Sequence, residues 1–189
     1  MADNQLILHP AKTADTPHNK RDLLYRLEQL GFIGTPLTFN GQQHYRPGAR
    51  FLQLLTFLGC SPVVALGEPG VTGDEYCHIQ LDGPSDQLRF VGGSNVKTPR
   101  CPGCGFHLEN WPALIEAWQR SPAQPWRCPL CGKEYLLPQL RWRQCAGFGR
   151  LFLRIWGVFE GEAVPSEELL KVLHDVSGVE WQYFYFRQA

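Results

Sequence analysis

Two nearly identical five-residue segments constrain the fold of this chain more than any other feature. CPGCG stands at residues 101–105 and CPLCG at 128–132, which gives the cysteine spacing C-x2-C-x23-C-x2-C. Two residues between cysteines let a tight turn aim both sulfurs at one point, and two such turns make a closed tetrahedral set of four thiolates. The predicted ligands of one metal ion are Cys101, Cys104, Cys128 and Cys131.

The spacer between the two cysteine pairs carries a predicted helix of its own. Asn110 is a candidate N-cap, and the apolar residues that follow recur at helical spacing. Those residues are Trp111, Leu114, Ile115 and Trp118. A closed four-thiolate site with no open position is typical of structural zinc, so one Zn²⁺ is the expected cofactor, and its role is to fold an insert that is too small to hold itself together. Iron is the less favoured metal for the same four sulfurs.

The cysteine unit resembles the zinc ribbons over residues 97–137, about forty residues of the chain. The resemblance implies a small metal-stapled subdomain, and many zinc ribbons belong to transcription or translation proteins. The CPxCG segments are also similar to those of rubredoxins, which would imply an iron electron carrier. A flavin or nicotinamide fingerprint of the form G-x-G-x-x-G does not occur in the sequence.

A zinc deaminase is a weaker alternative for the same region. His107 and Glu109 form H-x-E, and Cys128 and Cys131 follow as C-x-x-C. The deaminase pattern requires proline directly before the first cysteine, whereas Pro125 lies three residues before it. That alternative would also leave the first cysteine pair without a role, so the H-x-E is interpreted as a ribbon surface feature.

Charge is unevenly distributed along a chain whose formal net charge is +0. Residues 97–150 carry eight Lys or Arg against three Asp or Glu, a net of +5, while 1–96 and 151–189 are net acidic. Basic residues interleaved with aromatic ones suggest a surface for a macromolecular partner. The candidate surface residues are Arg100, Arg120, Arg127, Lys133, Arg141, Arg143, Trp126 and Trp142.

Patterning outside the cysteine unit predicts an α+β fold, with an antiparallel sheet of about five strands and two or three helices. The predicted helices are 22–31, 51–59 and 166–178. The predicted strands are 76–81, 87–91, 139–145, 150–159 and 179–186, the first two joined as a hairpin through DGPSD. The clearest helix starts after Ser166 as N-cap.

The predicted organisation is an α+β domain interrupted by the ribbon. Residues 1–18 are expected to be a flexible tail, 19–96 and 138–189 to form the α+β domain, and 97–137 to be the inserted zinc ribbon. A secretory signal or a stretch of membrane-spanning length is not found, so a cytoplasmic location and no membrane partner are expected. Cysteines there are thiols or metal ligands rather than disulfides.

The remaining residues give no catalytic signature. Cys60, Cys77 and Cys145 are interpreted as buried small residues, and no small-molecule substrate is indicated. The sequence therefore favours a non-catalytic zinc protein that contacts a macromolecule, with protein preferred as the partner. Binding of single-stranded nucleic acid is the second hypothesis, and an enzyme of unrecognised type is the third.

Overall fold

The computed structural model describes residues 4–12, 20–39, 41–59, 64–66 and 76–188. Over these ranges the helices are α1 (Lys20–Gln29), α2 (Trp111–Arg120) and α3 (Glu167–Ser177). The strands in the same ranges are β1 (Asn4–Pro10), β2 (Ile33–Phe39), β3 (Gln42–Pro47), β4 (Leu55–Phe57), β5 (Ile79–Asp82), β6 (Arg89–Gly92), β7 (Trp126–Arg127), β8 (Glu134–Tyr135), β9 (Ala146–Gly149), β10 (Phe152–Trp156), β11 (Ala163–Pro165) and β12 (Trp181–Arg187).

A six-stranded antiparallel sheet dominates the molecule, with the strand order β12-β1-β10-β5-β3-β2. Three two-stranded antiparallel sheets, β4 with β11, β6 with β9 and β7 with β8, complete the described strands. The predicted α+β class is confirmed. Within the described part of the chain no helix has the length and apolar character that a bilayer crossing requires.

The prediction of a flexible tail over residues 1–18 is wrong for residues 4–10. These residues form β1, which lies between β12 and β10, and Leu6 and Leu8 are fully buried. Both partner strands come from the far end of the chain, so the strand pairing that orders the run LIL depends on distant segments. Residues 1–3 and 13–19 lie outside the described residues.

The predicted hairpin between 76–81 and 87–91 is also wrong. Its first half becomes β5, which pairs with β10 and β3, whereas its second half becomes β6, which pairs with β9 in another sheet. Asp82 at the end of β5 binds Arg89 and Arg154 at 3.0 and 2.9 Å. The DGPSD turn therefore carries the chain from one sheet to the next, and the Asp82–Arg89 ion pair ties the two together.

Two further element predictions fail. Residues 51–59 were expected to be a helix, but Phe51–Gln53 form one turn of 3₁₀ helix and the next residues form β4. Residues 139–145 were expected to be a strand, but Arg143 and Gln144 have φ of 52° and 56°. Two consecutive left-handed residues end any strand. The Gln144 carbonyl instead accepts the Tyr185 N–H at 2.9 Å.

Helices α1 and α3 overlap the predicted helices 22–31 and 166–178, and α2 follows Asn110 as predicted. The last two predicted strands are also confirmed. Ser166 accepts the Leu169 N–H at 3.2 Å at the start of α3, and Gly178 ends the helix with φ of 71°. That left-handed conformation suits glycine and closes the helix. β10 and β12 lie within the predicted strands 150–159 and 179–186.

Two layers of side chains cover the two faces of the large sheet. One face packs on α1 and α3 through buried residues such as Leu27, Leu153 and Leu173. On the other face Ile7 of β1 and Phe152 of β10 pack against Val91 of β6. Beyond β6 a separate, aromatic core surrounds α2. The ribbon bounds 97–137 stay a prediction, and this second core contains residues from both sides of residue 137.

Candidate metal centre

The four knuckle cysteines, one pair from each CPxCG turn, come together at one point. Their sulfur atoms all lie within 4.8 Å of one another. The Cys101 and Cys131 sulfurs are 3.8 Å apart, and the Cys104 and Cys128 sulfurs are 3.6 Å apart. A tetrahedral ion with metal–sulfur bonds of about 2.3 Å places its sulfurs roughly 3.8 Å apart. The cluster is therefore the right size to hold one metal ion.

The first knuckle is a closed turn fixed by two backbone hydrogen bonds. The Cys101 N–H donates to the Phe106 carbonyl at 2.9 Å, and the Gly105 N–H donates back to the Cys101 carbonyl at 2.9 Å. Gly105 has φ of 77°, which a residue with a side chain rarely adopts. The glycine after the second cysteine is thus required by the turn itself.

The second knuckle repeats the same two bonds. The Cys128 N–H donates to the Lys133 carbonyl at 2.9 Å, and the Gly132 N–H donates to the Cys128 carbonyl at 2.9 Å. Gly132 has φ of 70°. The similarity of the two sequence segments is therefore a similarity of backbone geometry, and each turn delivers one cysteine pair to the shared cluster.

The electrostatics of the cluster favour one thiolate and oppose further ones. Desolvation raises the pKa of Cys128, but N–H groups of Cys131 and Leu130 and the neighbouring thiols lower it to about 7. At Cys104 a backbone bond from Phe106 lowers the pKa, while desolvation and the three other cysteines raise it to about 12. A cation among the sulfurs offsets this repulsion, as thiolate ligation requires.

The cluster lies at the edge of the protein with one side buried. Cys101 and Cys128 are buried, Cys131 is half-buried and Cys104 is exposed. Among the described residues the group of possible metal ligands holds these four cysteines and no histidine. His107 and Glu109 of the deaminase alternative are exposed and belong to no such group.

The predicted partner surface divides into exposed and buried residues. The exposed ones are Arg120, Arg127, Lys133, Arg141 and Arg143, and the half-buried ones are Arg100 and Trp126. Trp142 is only 6% exposed, and its indole N–H donates to the Leu137 carbonyl at 3.0 Å. Trp142 is therefore part of the core rather than of a contact surface.

Several of the exposed cations bind carbonyl groups of the cysteine unit itself. The bonds are Arg127 Nε to Gly132 O (3.2 Å), Arg141 Nη2 to Pro102 O (2.9 Å) and Arg143 Nη2 to Thr98 O (3.4 Å). Two of them reach residues inside the knuckles. These arginines brace the cysteine turns, a role that sequence reasoning missed because it depends on which carbonyls the fold brings within reach.

The leftover cysteines are buried where the structure describes them. Cys77 packs in the core under the large sheet, and burial raises the pKa of its thiol. The Cys145 thiol donates to the Trp142 carbonyl at 2.6 Å and accepts the Lys97 N–H at 3.2 Å. Cys60 lies outside the described residues.

Two depressions flank the C-terminal end of α2. A pocket of about 240 Å³ lies between α2 and β7, with Ala117, Trp126 and Leu137 in its lining. A wider groove of about 730 Å³ lies between the end of α2 and the start of β6, with Arg120 in its lining. Sequence reasoning assigned Arg120 and Trp126 to a contact surface but gave no sign of either depression.

A third cavity of about 160 Å³ lies between the large sheet and the segment after the second knuckle. His9 and Gln182 line it, with 3.3 Å between the His9 Nε2 and the Gln182 amide nitrogen. Burial lowers the pKa of His9 to about 4, and the nearby backbone of Pro10 and Phe148 offsets part of that shift. His9 is therefore neutral at pH 7.

Comparison with known proteins adds no family to this description. No protein-family model, curated protein or solved structure matches the chain. The fold and the site define an α+β protein with a four-cysteine cluster that could hold a metal ion.

Proposed function

We propose that this protein is a non-catalytic, zinc-binding protein whose ribbon presents a basic surface to a partner protein. The observation that carries the zinc assignment is the convergence of four cysteine sulfurs within 4.8 Å from two equivalent turns. Four thiolates complete a tetrahedral zinc sphere and leave no position for water or substrate. The metal then holds the fold rather than performing a reaction.

Zinc is favoured over iron by two features of the chain that do not resemble a small iron electron carrier. Four thiolates admit either metal. The sequence has no G-x-G-x-x-G fingerprint for a flavin or nicotinamide partner, and the cysteine unit is embedded in a larger fold. Purified protein containing iron would show the visible absorption of iron–thiolate bonds, whereas the zinc protein would be colourless.

A protein partner is favoured over nucleic acid by the burial of Trp118 and Trp142. Stacking on single-stranded bases requires exposed aromatic faces beside the cations. Trp118 is 3% exposed and Trp142 6%, so neither offers a face to a base. The exposed arginines of the knuckles are in part engaged with carbonyl groups. Apolar surface next to unpaired cations suits a protein contact better.

The test is the metal content of the purified protein and of matched variants. We expect one zinc per chain by elemental analysis and no visible absorption. The double variant Cys101→Ser with Cys128→Ser removes one ligand from each knuckle and is expected to lose the metal. Cys77→Ala is the control, since Cys77 is equally buried but lies in the core under the large sheet. Full zinc content in the double variant would refute the assignment.

A further inference from the structure

We propose that the surface around the last turn of α2 binds an acidic segment of a partner protein. An apolar side chain of that segment occupies the pocket beside Trp126. The carboxylates of its acidic residues contact Arg120 and Arg150. The inference rests on the proposed function, because it gives the partner protein a chemical class and a docking site.

The pocket between α2 and β7 has the size and chemistry for one apolar side chain. Its volume is about 240 Å³, and Leu114, Ala117, Trp126 and Leu137 supply most of its apolar wall. A cavity of about 150 Å³ with such a wall is enough to hold a benzene molecule. No acidic residue belongs to its described lining, where Arg127 is the charged group. A leucine or phenylalanine side chain therefore fits the pocket.

The neighbouring groove has an excess of positive charge that the described residues do not neutralise. Arg89 in its wall is bound by Asp82 at 3.0 Å, so its charge is already paired. Arg120 and Arg150 are exposed, line the same groove, and form no ion pair with a described residue. The acid in the described lining is Asp86. Carboxylates of a bound segment would complete this site.

The pocket and the groove are close enough for one short segment to fill both. Trp118 belongs to the lining of each. Ala117 in the pocket and Arg120 in the groove are three residues apart on α2, which is about 5 Å along a helix axis. An extended segment with an apolar residue next to acidic ones would therefore contact both sites at once.

The probes for this site are short dye-labelled peptides, and binding is measured by fluorescence anisotropy. One peptide contains Asp, Glu and Ser with a single central Leu, and its partner has Ser in place of that Leu. A labelled oligo-dT of similar length represents nucleic acid. We expect the Leu peptide to bind about tenfold more tightly than the Ser peptide and to weaken as salt is added.

Two variants separate the pocket from the groove. Arg120→Glu with Arg150→Glu is expected to weaken binding of the Leu peptide by at least about tenfold. Ala117→Phe fills the pocket from an exposed helical position, and it should abolish the preference for Leu over Ser while acidic binding remains. Arg21→Glu with Arg26→Glu, two exposed arginines on α1, is the charge-matched control and should leave both affinities unchanged.

Zinc content measured on every sample distinguishes the two proposals. A zinc-loaded wild-type protein that binds neither peptide would overturn the docking inference and leave the zinc assignment in place. Equal weakening by Arg21→Glu with Arg26→Glu, or tighter binding of oligo-dT than of the Leu peptide, would also overturn it. Protein that purifies without zinc would refute the proposed function independently of any peptide result.

Discussion

The core under the six-stranded sheet and the core around α2 differ in what encloses them. The sheet core has long strands on one side and two helices on the other, and its residues are mostly aliphatic. The core around α2 is smaller and largely aromatic, with Trp118 and Trp142 packed against Phe148 at ring-centroid distances of 5.0 and 5.4 Å. Its strands β7 and β8 have two residues each.

This difference gives the proposed metal a structural role in the second region. A sheet of six paired strands pairs its backbone groups along the ladders and buries apolar side chains on both faces. The knuckles have one short ladder and a few turn bonds, which offset less of the chain entropy lost on ordering them. In the zinc-bound state that we propose, the metal ion would join two turns far apart in sequence and add binding free energy to their folding.

Removal of the metal is expected to produce the largest difference in stability between the two regions. After chelation we expect amide protons in the knuckles and in α2 to exchange rapidly, because structural zinc contributes roughly 10 kcal/mol or more to small thiolate sites. Amides of β1 and β12 should keep their protection. Hydrogen exchange read by mass spectrometry on the full chain measures both regions together. Equal loss of protection in β1 would mean that the two cores form one cooperative unit.

Two core truncations, one in each region, test whether the two cores are stabilised separately. Leu153→Ala and Phe148→Ala each empty a buried site, and we expect each to lower the free energy of unfolding by about 3 kcal/mol. Only Phe148→Ala should also speed the transfer of zinc to a competing chelator, because Phe148 packs against the α2 core. Urea denaturation and a chelator assay give the two readouts. Faster zinc loss from Leu153→Ala would contradict the separation.

Acid should weaken the sheet region through its buried histidines. Burial lowers the pKa of His9 to about 4, so below its unfolded value of about 6.5 the unfolded chain binds a proton that the folded chain does not. The free energy of unfolding therefore falls as pH drops from about 6.5 to 4, by about 3 kcal/mol for this one group. The pKa of His44 is also lowered to about 4, by burial and by His78, and acts in the same direction.

The measurement is urea denaturation in steps from pH 7 to 5, with zinc content recorded at each step. His9→Gln should reduce the pH slope, because its side chain does not titrate in this range. His107→Gln is the control, since His107 is exposed on the ribbon. An unchanged slope in His9→Gln would show that the buried imidazole does not account for the acid sensitivity.

The parts of this structure that local sequence determines were predictable, and those that distant segments determine were not. The cysteine cluster followed from spacing within two short turns, and α3 from its cap and apolar stripe. β1 was missed because its partners β10 and β12 lie near the other end of the chain. Polar and apolar residues alternate over 139–145 as in a strand. The backbone of Gln144 is nevertheless left-handed, and its carbonyl accepts the N–H of the distant Tyr185.

The smallest expected effect comes from the helix N-caps, one in each region. Both Ser166 and Asn110 were predicted to cap a helix, but only Ser166 does so through its side chain, which accepts the Leu169 N–H at 3.2 Å. We expect Ser166→Ala to lower the free energy of unfolding by about 1 kcal/mol and Asn110→Ala by clearly less. Thermal or urea unfolding of the two zinc-loaded variants measures this difference. Equal losses would mean that Asn110 makes a capping bond in solution and that α2 begins under the same local control as α3.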